Sequence, residues 1–375
     1  MSSAIMPAKR VLIIRLSAIG DVIMASGVIP CLRDAFPDAT LTWLTEEGNE
    51  DLLRHNRQLD RVLILPRRRW RRLFQQKRWL TLWREMRRFR QELRRQRFDW
   101  VLDLQGLLKS ALWARLTGAE RRIGFDSKEG AEWLMTEVVD RNIRSDLIGK
   151  EYRRMMQVLQ TSPSRFAMDI ALAPEVEQRA DALLREEGIA DAYIVLCPFT
   201  TRPQKHWFDD RWSRLCRVLG KATGAMPVLL GGPGDRFRAE EIAATSGIPV
   251  ANLCGKTRLD DCAAVIRGAR LLIGVDTGLT HLGIAMRCPT LALFGSTAPY
   301  LDTGSPSARV LYHKLACSPC HRRPTCEGAF TCMDRHSVED VLTAALELYK
   351  SALNATPPSV AAETPELDPG SADRP

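Results

Sequence analysis

The sequence predicts an α/β protein of two doubly wound, Rossmann-like domains that face each other across a cleft. Short β-rich runs alternate with helix-compatible segments along nearly the whole chain, the pattern of a parallel sheet with crossover helices. The alternation restarts after Pro174, and 375 residues are enough for two domains with separate cores. Apolar residues make up 45% and charged residues 26%, which excludes a mostly disordered chain. The expected division is 9–173 for the first domain, 174–335 for the second and 336–354 for a C-terminal helix. Residues 355–375, rich in Pro, Ala, Glu and Ser, are expected to be a disordered tail.

In the first half, Val11–Ile14 is a β-rich run and Arg15–Asp21 a loop, followed by a helical pattern from Val22 to Phe36 that Pro37 stops. A dinucleotide loop requires G-x-G-x-x-G there; Gly20 stands alone, which argues against NAD or FAD. The loop offers a carboxylate instead, Asp21 beside a glycine at a helix start. That residue suits either a functional site or simple complementation of the helix dipole. Leu41–Thr45 and Arg61–Leu65 continue the strands. Trp100–Leu104 ends in the polar turn Gln105-Gly106, and Leu107–Leu116 reads as the following helix.

In the second half a helix over 175–187 precedes the strand Tyr193–Cys197 and the loop from Pro198 to Trp207. The run 226–230 ends in Gly231-Gly232-Pro233-Gly234-Asp235, and 250–253 ends at Cys254-Gly255. Arg270–Ile273 leads into Gly274-Val275-Asp276-Thr277-Gly278-Leu279-Thr280-His281, and Thr290–Phe294 ends at Gly295. A terminal helix spans 337–353. The stretch Gly274–His281 reads as strand, tight turn and helix start, where free N–H groups and the positive dipole end favour an anion. Asp276 suits a sugar hydroxyl, while Thr277, the Gly278 backbone and His281 suit phosphate. A capped helix with no ligand fits the same residues.

The net charge of +9 is concentrated. From Arg67 to Arg97 there are fourteen Lys or Arg and two Glu, a net +12, so the rest of the chain sums to −3. Trp79, Leu82, Trp83, Met86, Phe89 and Leu93 fall on one helical arc, with Arg84, Arg87, Arg88, Arg94 and Arg95 mostly opposite. One reading is a helix packed on its own domain with a solvated arginine face; the other is contact with an anionic membrane surface. No recognised nucleic-acid-binding motif accompanies the charge, so nucleic acid is not an expected partner. No run of about 18 uncharged apolar residues occurs, and charges interrupt the N-terminal apolar stretch, so the expected location is cytoplasmic.

Six cysteines are scattered singly, as reduced thiols usually are. Cys317, Cys320, Cys326 and Cys332 are clustered with C-x2-C-x5-C-x5-C spacing. The first pair suits structural zinc, while the wider second spacing favours free or partly oxidised thiols.

Taken together, Leu16–Asp21, Gln105–Ser110, Thr200-Thr201-Arg202 with Lys205-His206-Trp207, and Val275–His281 resemble the ordered motifs of the lipopolysaccharide heptosyltransferases of glycosyltransferase family nine, most closely the heptosyltransferase I branch. The resemblance runs from about Arg10 to about Leu348. It implies a GT-B fold and inverting transfer from ADP-heptose to the Kdo region of a lipid A-linked acceptor, at the inner face of the cytoplasmic membrane. Asp21 would be the general base and Lys205 would stabilise the departing ADP. Thr200, Thr201, Asp276, Thr277, Gly278 and His281 would bind the donor, with Asp235 on the ribose or adenosine. Ser17, Gly20, Gln105, Gly106 and Lys109 would face the acceptor. No cofactor or catalytic metal is implied, because lysine and helix N-termini carry the phosphate charge. Phe208 departs from the family's usual proline after Lys-x-Trp, and the basic segment is an elaboration that the motifs leave without a role. Two alternatives remain: a family-nine transferase with another nucleotide sugar or acceptor, and a non-catalytic protein whose basic segment binds an anionic surface.

Overall fold

A computed structural model describes residues 9–127, 129–320 and 323–354; the tail expected over 355–375 lies outside the described residues. The first half runs β1 (Arg10–Ile14), α1 (Ile19–Ala25), α2 (Val28–Ala35), β2 (Thr40–Glu46), β3 (Arg61–Leu65), α3 (Arg67–Gln75), α4 (Trp79–Arg95), β4 (Trp100–Asp103), α5 (Leu108–Thr117), β5 (Arg121–Phe125), β6 (Glu137–Val139) and α6 (Lys150–Val158). The second runs α7 (Pro174–Glu186), β7 (Tyr193–Cys197), α8 (Asp209–Thr223), β8 (Met226–Leu229), α9 (Arg236–Ser246), β9 (Ala251–Asn252), α10 (Leu259–Gly268), β10 (Leu271–Val275), α11 (Gly278–Ala285), β11 (Thr290–Phe294), β12 (Ala308–Tyr312), α12 (Thr331–Asp334) and α13 (Val338–Asn354).

Each half builds a six-stranded sheet, ordered β3-β2-β1-β4-β5-β6 and β12-β11-β10-β7-β8-β9. The pairings are parallel throughout. Both sheets share one winding order, which reverses between β1 and β4 in the first and between β7 and β10 in the second. At such a reversal the crossovers leave in opposite directions, and a crevice opens beyond the carboxyl ends. Central strands β1, β7, β10 and β11 are apolar and buried along their length apart from Arg10, as strands covered on both faces must be. Helix α13 lays Val341, Ala345 and Leu348 on the second sheet's core beside Trp212 and Leu215. The halves also touch directly. Ile23 and Leu52 of the first are buried in a cluster with residues of the second, Ile148 N donates to Asp302 O (2.8 Å), and Arg258 pairs with Asp51 (3.2 Å).

The helix expected over Val22–Phe36 is two helices, broken at Ser26-Gly27. Pro30 explains the break: within one continuous helix it would lack the N–H that bonds back to Ser26, whereas in the first turn of α2 no such donor is required. Gly27 occupies the joint because a side chain there would run into the Phe166 ring.

The basic segment is a helical hairpin, and its apolar arc is only half packed. Leu93 is buried and Phe89 packs with Trp70 and Trp113, whereas Trp79, Trp83 and Met86 on the same arc are exposed. The expectation of one stripe packed on its own domain therefore holds for the C-terminal half of α4 and fails for the first half, where Trp79, Trp83 and Met86 stay exposed although α3 runs alongside.

Candidate active site at the facing carboxyl edges

The carboxyl ends of the switch-point strands carry the charged side chains of the cleft. From β1 the chain passes through Arg15–Ala18 into α1. Arg15 is buried; its Nη1 donates to Leu104 O (2.7 Å), and its Nη2 pairs with Asp21 Oδ2 at 2.5 Å. The Ala18 N–H donates to the same Asp21 oxygen (3.2 Å), so the carboxylate is fixed from two sides and still about one third exposed. Beside it, Lys109 Nζ lies 3.4 Å from Ser17 Oγ and 3.0 Å from Glu46 Oε1, and Glu46 also accepts from Arg67 (2.9 Å). Ser17, Asp21 and Lys109 are thus brought to one rim.

Gln105 is placed differently from the expectation that its side chain faces an acceptor. It is buried, and its Oε1 accepts from Leu16 N (2.9 Å), bracing the first loop. Its carbonyl and Gly106 are covered by Arg141, whose Nη2 donates to Gln105 O (2.6 Å). The turn is organised by Asp103, which accepts from Gln105 N, Gly106 N and Ser110 Oγ. Burial pushes the Asp103 carboxyl up, against those three hydrogen bonds.

In the second half Lys205, Asp276 and His281 converge. Lys205 Nζ lies 2.5 Å from Asp276 Oδ2, Thr297 Oγ1 donates to the same oxygen (2.6 Å), and His281 Nε2 is 3.4 Å from Oδ1. His281 Nδ1 meets the Tyr300 hydroxyl at 2.7 Å. Burial by itself would raise the Asp276 carboxyl, but His281 and Lys205 outweigh it and hold the group well below the carboxylate range. Burial and the Asp276 charge push the Tyr300 phenol well above its ordinary value, so it stays protonated and shares a hydrogen bond with His281 Nδ1.

Thr200 and Thr201 lie at the end of β7, half-buried and exposed respectively, just before the turn carrying Lys205. Thr200 O accepts from His206 Nε2 (2.8 Å), while His206 Nδ1 faces Arg238 Nη1 (2.9 Å). Burial first, then the Arg238 charge, lowers the His206 pKa. Asp235 stands beyond β8, where its Oδ2 accepts from Gly232 N (2.8 Å) and closes its own turn. Thr277 precedes Gly278 at the start of α11.

The two groups face each other through their glycines. A Cβ on Gly20 would fall within 3.0 Å of His281 Cδ2, and one on Gly278 would lie 2.8 Å from Ile19 Cγ2. The start of α1 therefore packs backbone-close against the start of α11, with Asp21 one residue from this contact and Asp276 two. A carboxylate on one wall opposes a cation, a hydrogen-bonded imidazole and a helix N-terminus on the other. Such a cleft suits attack by a hydroxyl on a group leaving as a phosphate.

The sequence reading missed Arg15, Glu46, Arg141, Thr297 and Tyr300. Thr297 and Tyr300 follow a glycine at a strand end, Gly295, which is the signal that would have found them. Arg15 and Arg141 carried none, because their partners, the Leu104 and Gln105 carbonyls of the turn after β4 and, for Arg15, Asp21, are brought to them only by the fold. The four clustered cysteines line one small pocket with Ser318 and Phe330, yet among the described residues no group of three or more His, Cys, Asp or Glu is arranged to hold a metal. The zinc reading is the less favoured of the two drawn from the spacing, and the described residues show no arrangement that adds to it. Cys320 Sγ turns to Ser296 O (3.5 Å), Cys332 is buried on α12 beside Gly295, and Cys317 is exposed.

Residues 86–330 match the model of glycosyltransferase family 9 (heptosyltransferase). The chain is 33% identical to lipopolysaccharide heptosyltransferase 1 of Pseudomonas aeruginosa over 341 residues, covering 87% of this chain and 90% of the relative. Against the same-named protein of Escherichia coli K12 identity is 28%, covering 79% and 90%. Among solved structures, E. coli heptosyltransferase WaaC with ADP-2-deoxy-2-fluoro heptose superposes with a TM-score of 0.68 at 26% identity, covering 90% of this chain and 99% of that one. A family 9 glycosyl transferase from Veillonella parvula has the same fold, with a TM-score of 0.75 at 22% identity, covering 92% and 97%.

Proposed function

The chain belongs to glycosyltransferase family 9, the heptosyltransferases, and from that membership and the cleft geometry we propose that it transfers heptose from ADP-heptose to the Kdo region of a lipid A-linked lipopolysaccharide inner core. The observation that carries this reading is the opposition of Asp21 to the Lys205–Asp276–His281 group across the contact of Gly20 with His281.

In this reading the acceptor hydroxyl lies over Asp21, which takes its proton as the oxygen bonds to the anomeric carbon. The bond from that carbon to the diphosphate oxygen breaks on the opposite face, inverting the configuration, and ADP carries away the electron pair. Arg15 keeps the carboxylate aimed, since a base must sit within hydrogen-bond reach of the proton it removes. Lys205 turns from Asp276 to the diphosphate when the donor enters and stabilises the charge that grows on ADP. Thr200, Thr201, Thr277 and the Gly278 backbone add donors to the phosphates. Asp276 and His281 meet the heptose, and Asp235 the nucleoside. Ser17 and Lys109 hold the acceptor, while Gly20, Gln105 and Gly106 shape the wall beneath it.

The test is product formation by the purified protein from ADP-heptose and Kdo-lipid A, with GDP- and UDP-sugars as comparison donors. Transfer from ADP-heptose alone is expected. Transfer only from another nucleotide sugar would remove the donor assignment while leaving the family intact. Failure with every donor, together with intact vesicle binding, would favour a non-catalytic surface protein.

A further inference from the structure

Helix α3 leaves the carboxyl edge of the first sheet at Arg67, and α4 returns antiparallel to it: Phe74 packs on Trp79 (4.7 Å), Arg69 pairs with Glu85 (2.6 Å), and Trp70 meets Phe89 (5.7 Å). Only the part of α4 from about Phe89 onward lies along the sheet. The turn at 76–78 is therefore the end of the hairpin that projects away from the part of α4 packed on the domain.

This projecting end carries an apolar crest that the fold leaves uncovered. Phe74 is 58% exposed, Trp79 51%, Leu80 73% and Trp83 57%. Scattered surface apolar residues need no explanation, but two tryptophans, a phenylalanine and a leucine on one tip do. Lys77, Arg78, Arg84, Arg87 and Arg88 surround them, all exposed, and Arg87 lies over the Trp83 ring (5.3 Å). Among the described residues the hairpin's ion pairs are Arg67–Glu46 and Arg69–Glu85, so the charge around the crest is not neutralised within the chain.

We propose that the hairpin tip is a membrane-docking element, which seats Phe74, Trp79, Leu80 and Trp83 in the interface of an anionic bilayer while the surrounding arginines meet lipid phosphates. The chemistry selects this occupant. Tryptophan is at home at the headgroup boundary, and a net +12 hairpin is drawn to a negatively charged leaflet. The base of the hairpin is tied to the cleft through Arg67, Glu46, Lys109 and Ser17, so docking sets the acceptor rim beside the lipid surface. That last step rests on the lipid-linked acceptor proposed above; the docking itself does not.

The test uses the full chain and vesicles containing neither donor nor acceptor, so its outcome is independent of transfer. Wild-type protein is expected to float with phosphatidylcholine vesicles carrying about a third phosphatidylglycerol, weakly with pure phosphatidylcholine, and less as salt is raised. Replacing Trp79, Leu80 and Trp83 together by serine should lower the bound-to-free ratio on anionic vesicles at least about tenfold, with thermal midpoint and ADP binding unchanged. A separate R84Q/R87Q/R88Q variant, which leaves the crest intact, should lose about a hundredfold on anionic vesicles and nothing on neutral ones. Wild-type protein that stays in solution with anionic vesicles would overturn the proposal, as would both variants binding like wild type. Self-association through the crest, or capture of single-stranded RNA, in place of vesicle binding would also overturn it.

Discussion

Replacing Gly20 by alanine tests the cross-cleft contact directly. The new methyl would sit closer than 3.0 Å to His281 Cδ2 and 3.1 Å from Nε2. Carbon atoms rest at about 3.5–4.0 Å, so the imidazole or the whole start of α1 must yield by roughly 1 Å. If the ring yields, it leaves the Tyr300 hydroxyl at 2.7 Å and Asp276 at 3.4 Å. If α1 yields, Asp21 is carried away from the donor wall. Overpacking of this kind costs about 1–3 kcal/mol, worth about 2–4 °C in thermal midpoint per kcal/mol for a domain of this size. A displacement of about 1 Å between reacting groups costs on the order of a hundredfold in rate. The variant should therefore remain folded and bind ADP more weakly, with kcat/KM down about a hundredfold, measured by calorimetry and by single-turnover transfer. Gly278→Ala meets Ile19 Cγ2 (2.8 Å), Ile19 Cβ (3.0 Å) and the Gly20 backbone N (3.3 Å), so rotation of Ile19 relieves only part of the clash and a comparable loss is expected. A Gly20→Ala enzyme with wild-type ADP affinity and wild-type kcat/KM would refute the contact as part of the working cleft.

Asp21→Asn should lower kcat by about 10²–10⁴-fold while ADP binding by calorimetry stays at the wild-type level; equal loss of both would make Asp21 a structural residue. Tyr300→Phe keeps the ring packed on Phe294 (5.2 Å) but removes the hydrogen-bond partner that orients the His281 ring, so ADP affinity should fall about fivefold without loss of thermal midpoint. Asp276→Asn leaves the Lys205 ammonium without its counter-charge and should destabilise donor-free protein by about 3 kcal/mol in urea titration. Because the Asp276 pKa is depressed in the fold, its contribution is present above the ordinary aspartate value of about 4. It is lost as pH falls from there toward the lower folded value, and the variant should lack that acid limb. His336 works in a different window: burial lowers its folded pKa to about 4, so the unfolded chain binds the extra proton between about pH 6.5 and 4. Stability from this group is full above about pH 6.5 and lost progressively down to 4, and His336→Gln should flatten that slope in urea titrations.

Central elements were legible because their patterns are local. The runs at 11–14, 193–197 and 290–294 are buried on both faces and read as uninterrupted apolar strands. Strands β5, β6 and β12 escaped notice, being short or lying at or next to a sheet edge, where Arg121, Arg122, Glu137 and Arg309 break the apolar pattern. The Val22–Phe36 helix was read too long because periodicity continues through Ser26-Gly27, although Pro30 marked the break. The half-packed stripe of α4 was beyond sequence reasoning: Trp83 and Phe89 share one arc, and only the places of Trp70 and Trp113 decide which is covered.

By itself the sequence determined the strand-end loops that carry Asp21, Lys205, Asp276 and His281, and through their order the family. These are properties of short segments, in which a turn, a helix start and a polar side chain follow from neighbouring residues. The tertiary structure decided what those loops do to one another. It turned Gln105 inward onto Leu16, set Lys205 on Asp276, put Tyr300 behind His281 and pressed Gly20 against the opposite wall. The first three depend on the winding order within one half and the last on the meeting of the two sheets, and no local pattern encodes either.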